Sequence, residues 1–377
     1  MAKLRDRYDE EVISKLTNAY GVQEEVTNEP QVDPFNQINV YSPTRQKNGV
    51  LFSKVFGWKP KTIPDIYVPQ FKDSDWAEAA QVMIPDVDPD WIWNRELCEQ
   101  MALAFVDGDT VLIHGLQGTG KSCALKEFCA VLRIPFWRMS CNRETREAHF
   151  LGNPNLEYDA EGHMHIKQEP TILTDSLRYG GLFCEDEAFR HNAALVLQSL
   201  REKTNRTLVL ANADGRSMED RVLKAPEGRW WYGLTDNTSG GGDETGVFDA
   251  EVQDASSLDR IDTTIEAKYL GKPDERKLLQ RKTNLNVDII NGMIDLAKLV
   301  RAAFSKGTMM ATMSARGLMA WASKTEKLGH IGLALQYTFV NKLNSDDRKT
   351  VEDMFHQVFA RKIKEQVINE EETSTSD

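Results

Sequence analysis

TVLIHGLQGTGKS, residues 110–122, joins an apolar, β-branched run to a glycine-rich turn that ends in Lys121 and Ser122. Its last eight residues, Gly115, Leu116, Gln117, Gly118, Thr119, Gly120, Lys121 and Ser122, match G-x-x-x-x-G-K-[ST] at every fixed place. Upstream, Val111 to His114 reads as a strand; downstream, Ala124, Leu125, Phe128, Val131 and Leu132 recur at helical spacing. Gly115, Gly118 and Gly120 let the backbone turn tightly enough to aim N–H groups at phosphate oxygens, at the positive end of the following helix. Lys121 is placed to reach the β and γ phosphates, and the Ser122 hydroxyl to bind Mg2+. The stretch implies a nucleoside triphosphate site, with ATP and Mg2+ as the ligands. A bare glycine-rich turn is the alternative, and the strand and helix on either side argue against it.

The 377 residues, 41% hydrophobic and 28% charged, are enough for a buried core and for two or three domains. A net charge of −12 opposes a nonspecific grip on nucleic acid or an anionic membrane. The five cysteines, Cys98, Cys123, Cys129, Cys141 and Cys184, form no C-x-x-C pair and read as reduced core thiols. No apolar run approaches the length of a membrane span, and the charged start MAKLRDRYDEE is unlike a signal peptide. A cytoplasmic protein is the expectation.

Along the chain, residues 1–50 read as a helix through Leu16 followed by a polar linker, and residues 51–108 as a proline-broken collar leading into the core, with a helix from Asn94 to Phe105. Residues 109–270 alternate strands with helices. The strands are Val111–His114, Phe136–Ser140, Leu182–Glu185, Trp230–Thr235 and Thr263–Ala267, a pattern that implies a parallel sheet covered on both faces. Residues 271–365 carry helical periodicity, as in Val351, Met354, Phe355, Val358 and Phe359. Residues 366–377 form an acidic tail of disordered composition. The fold class is therefore α/β: a P-loop core with a parallel sheet between helices, followed by a small all-helical domain.

A second acidic motif narrows the chemistry. In LFCEDEAF, a strand ends at Glu185, Asp186 and Glu187, as in hydrolysing P-loop enzymes. Asp186 would hold the magnesium, and Glu187 would polarise the water that attacks the γ phosphate. Glu185 stands where an apolar residue is the rule and leaves the register open.

Several separated segments, in order, carry a family resemblance: KVFGW, YVPQF, IPDVDPDWIW, GLQGTGKS, EDEAF, LTDNTSGGGDETG, SLDRID, MSARGLMAWA and HIGLALQYTFVNKL. From about Lys54 to Lys362 the chain resembles the AAA+ ATPases of the MoxR branch, and among them the ATPase subunits of aerobic cobaltochelatases. The resemblance implies an AAA+ core with a helical lid and ATP hydrolysis between subunits of a ring, a homo-hexamer. It also implies a partner bearing a von Willebrand A domain, with a separate chelatase subunit in the cobaltochelatase case. Asn237 then resembles sensor 1, which orients the attacking water, with a hairpin from Leu208 to Leu223 before it; Asn212 is the other candidate. Arg260 resembles an arginine finger that reaches into a neighbour's site, with a salt bridge to Asp259 or Asp262 as the alternative. Arg316, in the first turn of a helix capped by Ser314, resembles sensor 2; Gly317 is unusual inside that helix.

His163 and His165 alternate in a strand but lack a third ligand at metal spacing, so a surface hairpin is the better reading, and the segment from His163 to Pro170 would meet a partner in this family. Trp230, Trp231 and Tyr232 are read as core packing and not as a platform for bases. Two other functions remain beside a remodelling ATPase that drives metal insertion: a nucleic-acid-stimulated motor, and a nucleotide-gated scaffold with little turnover.

Overall fold

The computed structural model describes residues 49–158, 161–191, 194–210, 221–242 and 252–374. The helix expected through Leu16, and Asn212, lie outside the described residues. The chain divides into two compact units, Met1–Pro69 and Gln70–Asp377. The collar expected over residues 51–108 is thereby split. Tyr67–Pro69 pairs back, antiparallel, on Gly49–Leu51, whereas the Phe71 N–H already donates to the Leu132 carbonyl (3.0 Å). In the first unit the rings of Phe56 and Trp58 lie 4.5 and 5.6 Å from buried Phe52.

The second unit is built on a five-stranded sheet in the order Thr263–Glu266, Thr110–His114, Trp230–Asp236, Gly181–Asp186, Phe136–Ser140, with every neighbouring pair parallel. All five expected strands are present. Every residue of Gly181–Asp186 and of Trp230–Asp236 is buried, as strands covered on both faces require. Trp230, Trp231 and Tyr232 are core residues, with Trp231 stacked on Phe105 at 5.5 Å and Phe105 edge-on to Phe128 at 4.8 Å. Burial contributes about 1.5–3 kcal/mol for a large apolar side chain of this kind. Register levels the strand ends: Asp236 lies opposite His114, and Thr235 opposite Asp186. The carboxyl ends of these strands form a single edge, where open α/β sheets place ligands.

The helix Arg95–Asp107 starts where Asn94 accepts from the Leu97 N–H (3.3 Å) and stops at left-handed Gly108. Two antiparallel hairpins stand off the sheet. Pro154–Tyr158 pairs with Met164–Gln168, the expected surface hairpin, and Thr207–Val209 pairs with Val222–Lys224 ahead of the strand that leads to Asn237.

From Lys272 onward the unit is helical: Lys272–Lys282, Val287–Ser305, Ala315–Leu328, Ile331–Thr338 and Ser345–Ser374. The second of these buries Ile290, Met293, Ile294, Ala297, Val300, Arg301 and Phe304, a stripe at helical spacing. Trp321 is wholly buried, and its Nε1 donates to the Ile331 carbonyl (2.9 Å). Val351 is buried in this core, with Met354, Phe355, Val358 and Phe359 packed against it. The acidic tail expected to lack structure is helical as far as Ser374.

Candidate nucleotide-binding site

At the common edge, the Thr110–His114 strand turns through Gly115–Gly120 into the helix Lys121–Leu132. Gly120 stands at the N-cap without a side chain, so the first-turn amides of the helix receive no side-chain cap. Gly115 touches the segment that leaves the sheet: a Cβ there would lie 2.3 Å from the Ala267 carbonyl oxygen. Lys121 Nζ donates to the carbonyls of Gly115 (2.7 Å) and Leu116 (3.1 Å) and to Asn237 Oδ1 (3.0 Å). Burial pushes this ammonium down to about 8, against the pull of Asp236, Asp186 and Glu187. Thr119 Oγ1 donates to the Leu116 carbonyl (2.9 Å), which closes the turn.

Asp186 ends the neighbouring strand and gathers three side chains. Ser122 Oγ and Thr235 Oγ1 donate to its Oδ1, and Arg138 Nε donates to its Oδ2 (3.0 Å). Burial alone would raise this carboxyl; the hydrogen bonds from Ser122, Thr235 and Arg138 outweigh it and hold Asp186 below its ordinary value. Glu187 follows in a left-handed backbone conformation (φ 60, ψ 48), which costs about 1–2 kcal/mol for a non-glycine residue. Around it, Phe189 N donates to Asp236 Oδ2 (3.0 Å), and Arg190 pairs with the Glu187 carboxylate at 3.0 Å.

The register left open by Glu185 is resolved. Successive strand residues point to opposite faces, so Asp186 meets the glycine-rich loop while Glu185 turns away. Fully buried Glu185 accepts from Arg201 (2.9 and 3.0 Å) and from the Tyr232 hydroxyl (2.6 Å), and His191 Nε2 lies 2.7 Å away. Burial works against the charge, but Arg201 and His191 hold this carboxyl down at about 2. Cys141, Glu185 and His191 bring three potential ligand atoms within 4.8 Å of one another. Both oxygens of Glu185 are already bonded, and the Arg201 charge opposes a cation there, so the cluster is a buried ion-pair network.

Two cavities meet at the loop. One, of about 220 Å3, is lined by Lys121, Ser122, Asp186, Glu187, Asn237 and Arg316 among others. The other, of about 250 Å3 and mostly apolar, lies between Trp91, Leu97, Gly120, Tyr269, Leu278 and Met319. Arg316 lines both, two residues beyond Ser314, whose Oγ accepts from the Gly317 N–H (3.0 Å) and caps the Ala315–Leu328 helix. Nothing in the structure explains a glycine at 317. The first cavity has the shape and polarity for phosphates; the second can take a flat base. An all-oxygen set, Ser122 Oγ with the Asp186 carboxylate, suits a small hard cation such as Mg2+.

The structure brings Gln117, Gly118, Gly120, Lys121, Ser122, Asp186, Glu187, Asn237 and Arg316, all singled out from the sequence, to the wall of a single cleft. Arg260 is not among its lining residues. It sits just past the short helix Ala255–Leu258, donates to the Ser256 carbonyl, and leaves Asp262 to accept from the Thr110 N–H (2.8 Å). The sequence reading missed Arg138, Thr235 and Asp236, and the cavity wall at Trp91, Leu97 and Tyr269. A lone arginine in the strand FWRMS was the one available signal for Arg138. Cys123, read as a core thiol, is exposed because it lies on the open side of the helix at this cleft; the other four cysteines are buried.

Residues 110–224 match the AAA domain of the dynein-related subfamily, and residues 275–361 the CbbQ/NirQ/NorQ C-terminal family. The chain is 26% identical over 313 residues to the aerobic cobaltochelatase subunit CobS of a Sinorhizobium species, covering 81% of this chain and 90% of that protein. Among solved structures, it is similar to a RuvB variant of Thermotoga maritima (13% identity, 71% of this chain and 75% of that one, TM-score 0.43). The Holliday junction branch migration motor RuvB of the same organism is 14% identical over 71% of this chain and 74% of that one, with a TM-score of 0.39. Among the described residues no helix is long and apolar enough to cross a membrane. The chain thus carries an AAA ATPase domain followed by a C-terminal region of the CbbQ/NirQ/NorQ kind, and it is similar to CobS over most of its length.

Proposed function

We propose that the cleft binds ATP with Mg2+ and hydrolyses it within a cytoplasmic homo-hexameric ring, and that the ring remodels a partner protein complex. One observation carries the chemical part: a lysine, a serine, three carboxylates, an asparagine and two arginines from five separate elements line one phosphate-sized cavity. The base would occupy the apolar cavity beside Trp91, with the triphosphate along Gly115–Ser122. Lys121 would leave the Gly115 and Leu116 carbonyls for the β and γ phosphates. Ser122 and Asp186 would hold Mg2+, which when bound neutralises charge on the phosphate oxygens. Glu187 takes the proton of the attacking water, and Asn237, already within 3.0 Å of Lys121 Nζ, orients that water. Arg316 brings the charge state of the γ phosphate to the helical region, proposed as a lid over residues 271–365 on a core over 109–270.

Arg260, half-buried and not among the residues lining its own cleft, serves as the finger for a neighbouring subunit. Loss of the γ phosphate removes contacts that join core and lid, and rigid-body motion follows. Similarity to CobS supports a von Willebrand A domain protein and a chelatase subunit as partners, with metal insertion as the outcome. The net charge of −12 supports a protein client over a nucleic acid. Mixing inactive Arg260→Ala subunits with inactive Glu187→Gln subunits tests the shared site. Intact sites form where a wild-type Arg260 meets a wild-type Glu187, so partial hydrolysis is expected to return. No rescue at any ratio would count against the trans arginine.

A further inference from the structure

Tyr269 lies in the segment that joins the last core strand to the helical region, and its hydroxyl donates to the Gln117 carbonyl (2.8 Å) at the crest of the glycine-rich loop. The Arg301 guanidinium lies over its ring, 3.9 Å from the centroid. Arg301, nearly buried in the Val287–Ser305 helix, uses its other edges within the helical region. Its Nε donates to the Met313 carbonyl (2.8 Å), and its NH1 pairs with buried Glu275 at 2.7 Å. Met313 directly precedes Ser314, the cap of the helix that bears Arg316. One guanidinium therefore gathers three helical segments and the connecting segment on a tyrosine that touches the phosphate loop. Burying an arginine and a glutamate carries a desolvation penalty that an apolar pair of the same shape would not meet, so stability alone does not account for the pair.

We infer that Tyr269 and Arg301 are positioning residues that couple the Gln117 carbonyl to the segment bearing Arg316, so that movement of the loop is felt at that arginine. The chain is Gln117 O, Tyr269 OH, the Tyr269 ring, Arg301, Met313 O, and then the Ser314 cap. The hydroxyl contact and the contacts of Arg301 are directional or face-to-cation, and the two made by Arg301, to the Tyr269 ring and to the Met313 carbonyl, depend on the planar, forked guanidinium that lysine lacks. The role of Arg316 in this inference rests on the function proposed above; the placement of residues 313–318 does not.

Two measurements separate the two readings. In amide hydrogen exchange on the assembled protein, Tyr269→Phe keeps the ring and loses only the hydroxyl. It is expected to speed exchange at residues 313–318 by about fivefold or more, while the interior of the Val287–Ser305 helix stays unchanged. Unchanged exchange at 313–318 would overturn the inference, whether or not the protein hydrolyses ATP. In steady-state hydrolysis, Tyr269→Phe is expected to lower kcat about five- to tenfold, and the double variant with Arg316→Ala to be no slower than Arg316→Ala alone within about twofold. Losses that multiply would overturn the coupling. Arg301→Lys should reproduce the Tyr269→Phe exchange pattern; if that variant does not fold, the Tyr269→Phe comparison still decides. A wild-type protein without turnover would refute the proposed function and leave the exchange result to judge this inference.

Discussion

Ser314 stands directly over Gly118: a Cβ built on Gly118 would lie 2.3 Å from the Ser314 Cβ. The loop that faces phosphate and the turn that starts the Arg316 helix are in backbone-to-side-chain contact, and only a residue without a side chain allows it.

Gly118→Ala should therefore weaken ATP affinity at least about tenfold, since alanine adds this collision to a left-handed backbone (φ +73) that itself costs about 1–2 kcal/mol. Adding Ser314→Gly relieves the collision and leaves the backbone cost, so the pair should bind better than Gly118→Ala alone. Calorimetry reads both; wild-type affinity in Gly118→Ala would contradict the contact.

Cys123 is exposed on the first turn of the phosphate-loop helix and lines both cavities, while Cys98, Cys129, Cys141 and Cys184 are buried. A maleimide should label the native protein at Cys123 ahead of the other four, and ATP with Mg2+ should slow that labelling. Intact-mass and peptide analysis would locate the label. Labelling indifferent to nucleotide would place the ligand elsewhere.

Affinity should depend on pH through Lys121, whose ammonium burial lowers to about 8. Only the protonated lysine attracts phosphate, and bound phosphate raises its pKa. Affinity is thus full below about pH 8 and falls as pH rises through it, by about tenfold between pH 7 and pH 9. A dissociation constant flat across that range would show that Lys121 does not grip the ligand.

Glu185 and Arg201 form a fully buried ion pair supported by Tyr232 and His191. Removing one partner leaves the other charge stranded, so Arg201→Met should cost about 3–5 kcal/mol in denaturant unfolding. Because folding lowers the Glu185 pKa from 4.5 to about 2, its stabilisation is complete above about pH 4.5 and is lost as pH falls toward 2. Acid unfolding of Glu185→Gln should lack this component. A loss below about 1 kcal/mol in Arg201→Met would contradict the network.

What the sequence made legible and what it hid follow from the reach of each interaction. Residues 115–122 were readable because phosphate fixes their spacing along the chain, and the strands were readable because both faces are buried. Glu185 looked anomalous because its partners Arg201 and Tyr232 lie far along the chain and meet it only when strands and helices pack. The cavity beside Trp91 was hidden for the same reason, since its walls come from residues near 91, 269, 278 and 319. Arg260 was singled out only by resemblance, and it is not among the residues lining the cleft.

The central claim is that Glu187, at the strand end beside the phosphate loop, activates the water that cleaves ATP. Phosphate release by wild type and by Glu187→Gln, with ATP binding measured on the same samples, tests it most directly. The account predicts a kcat lowered about 100-fold or more with binding retained. Equal rates from the two proteins would contradict it.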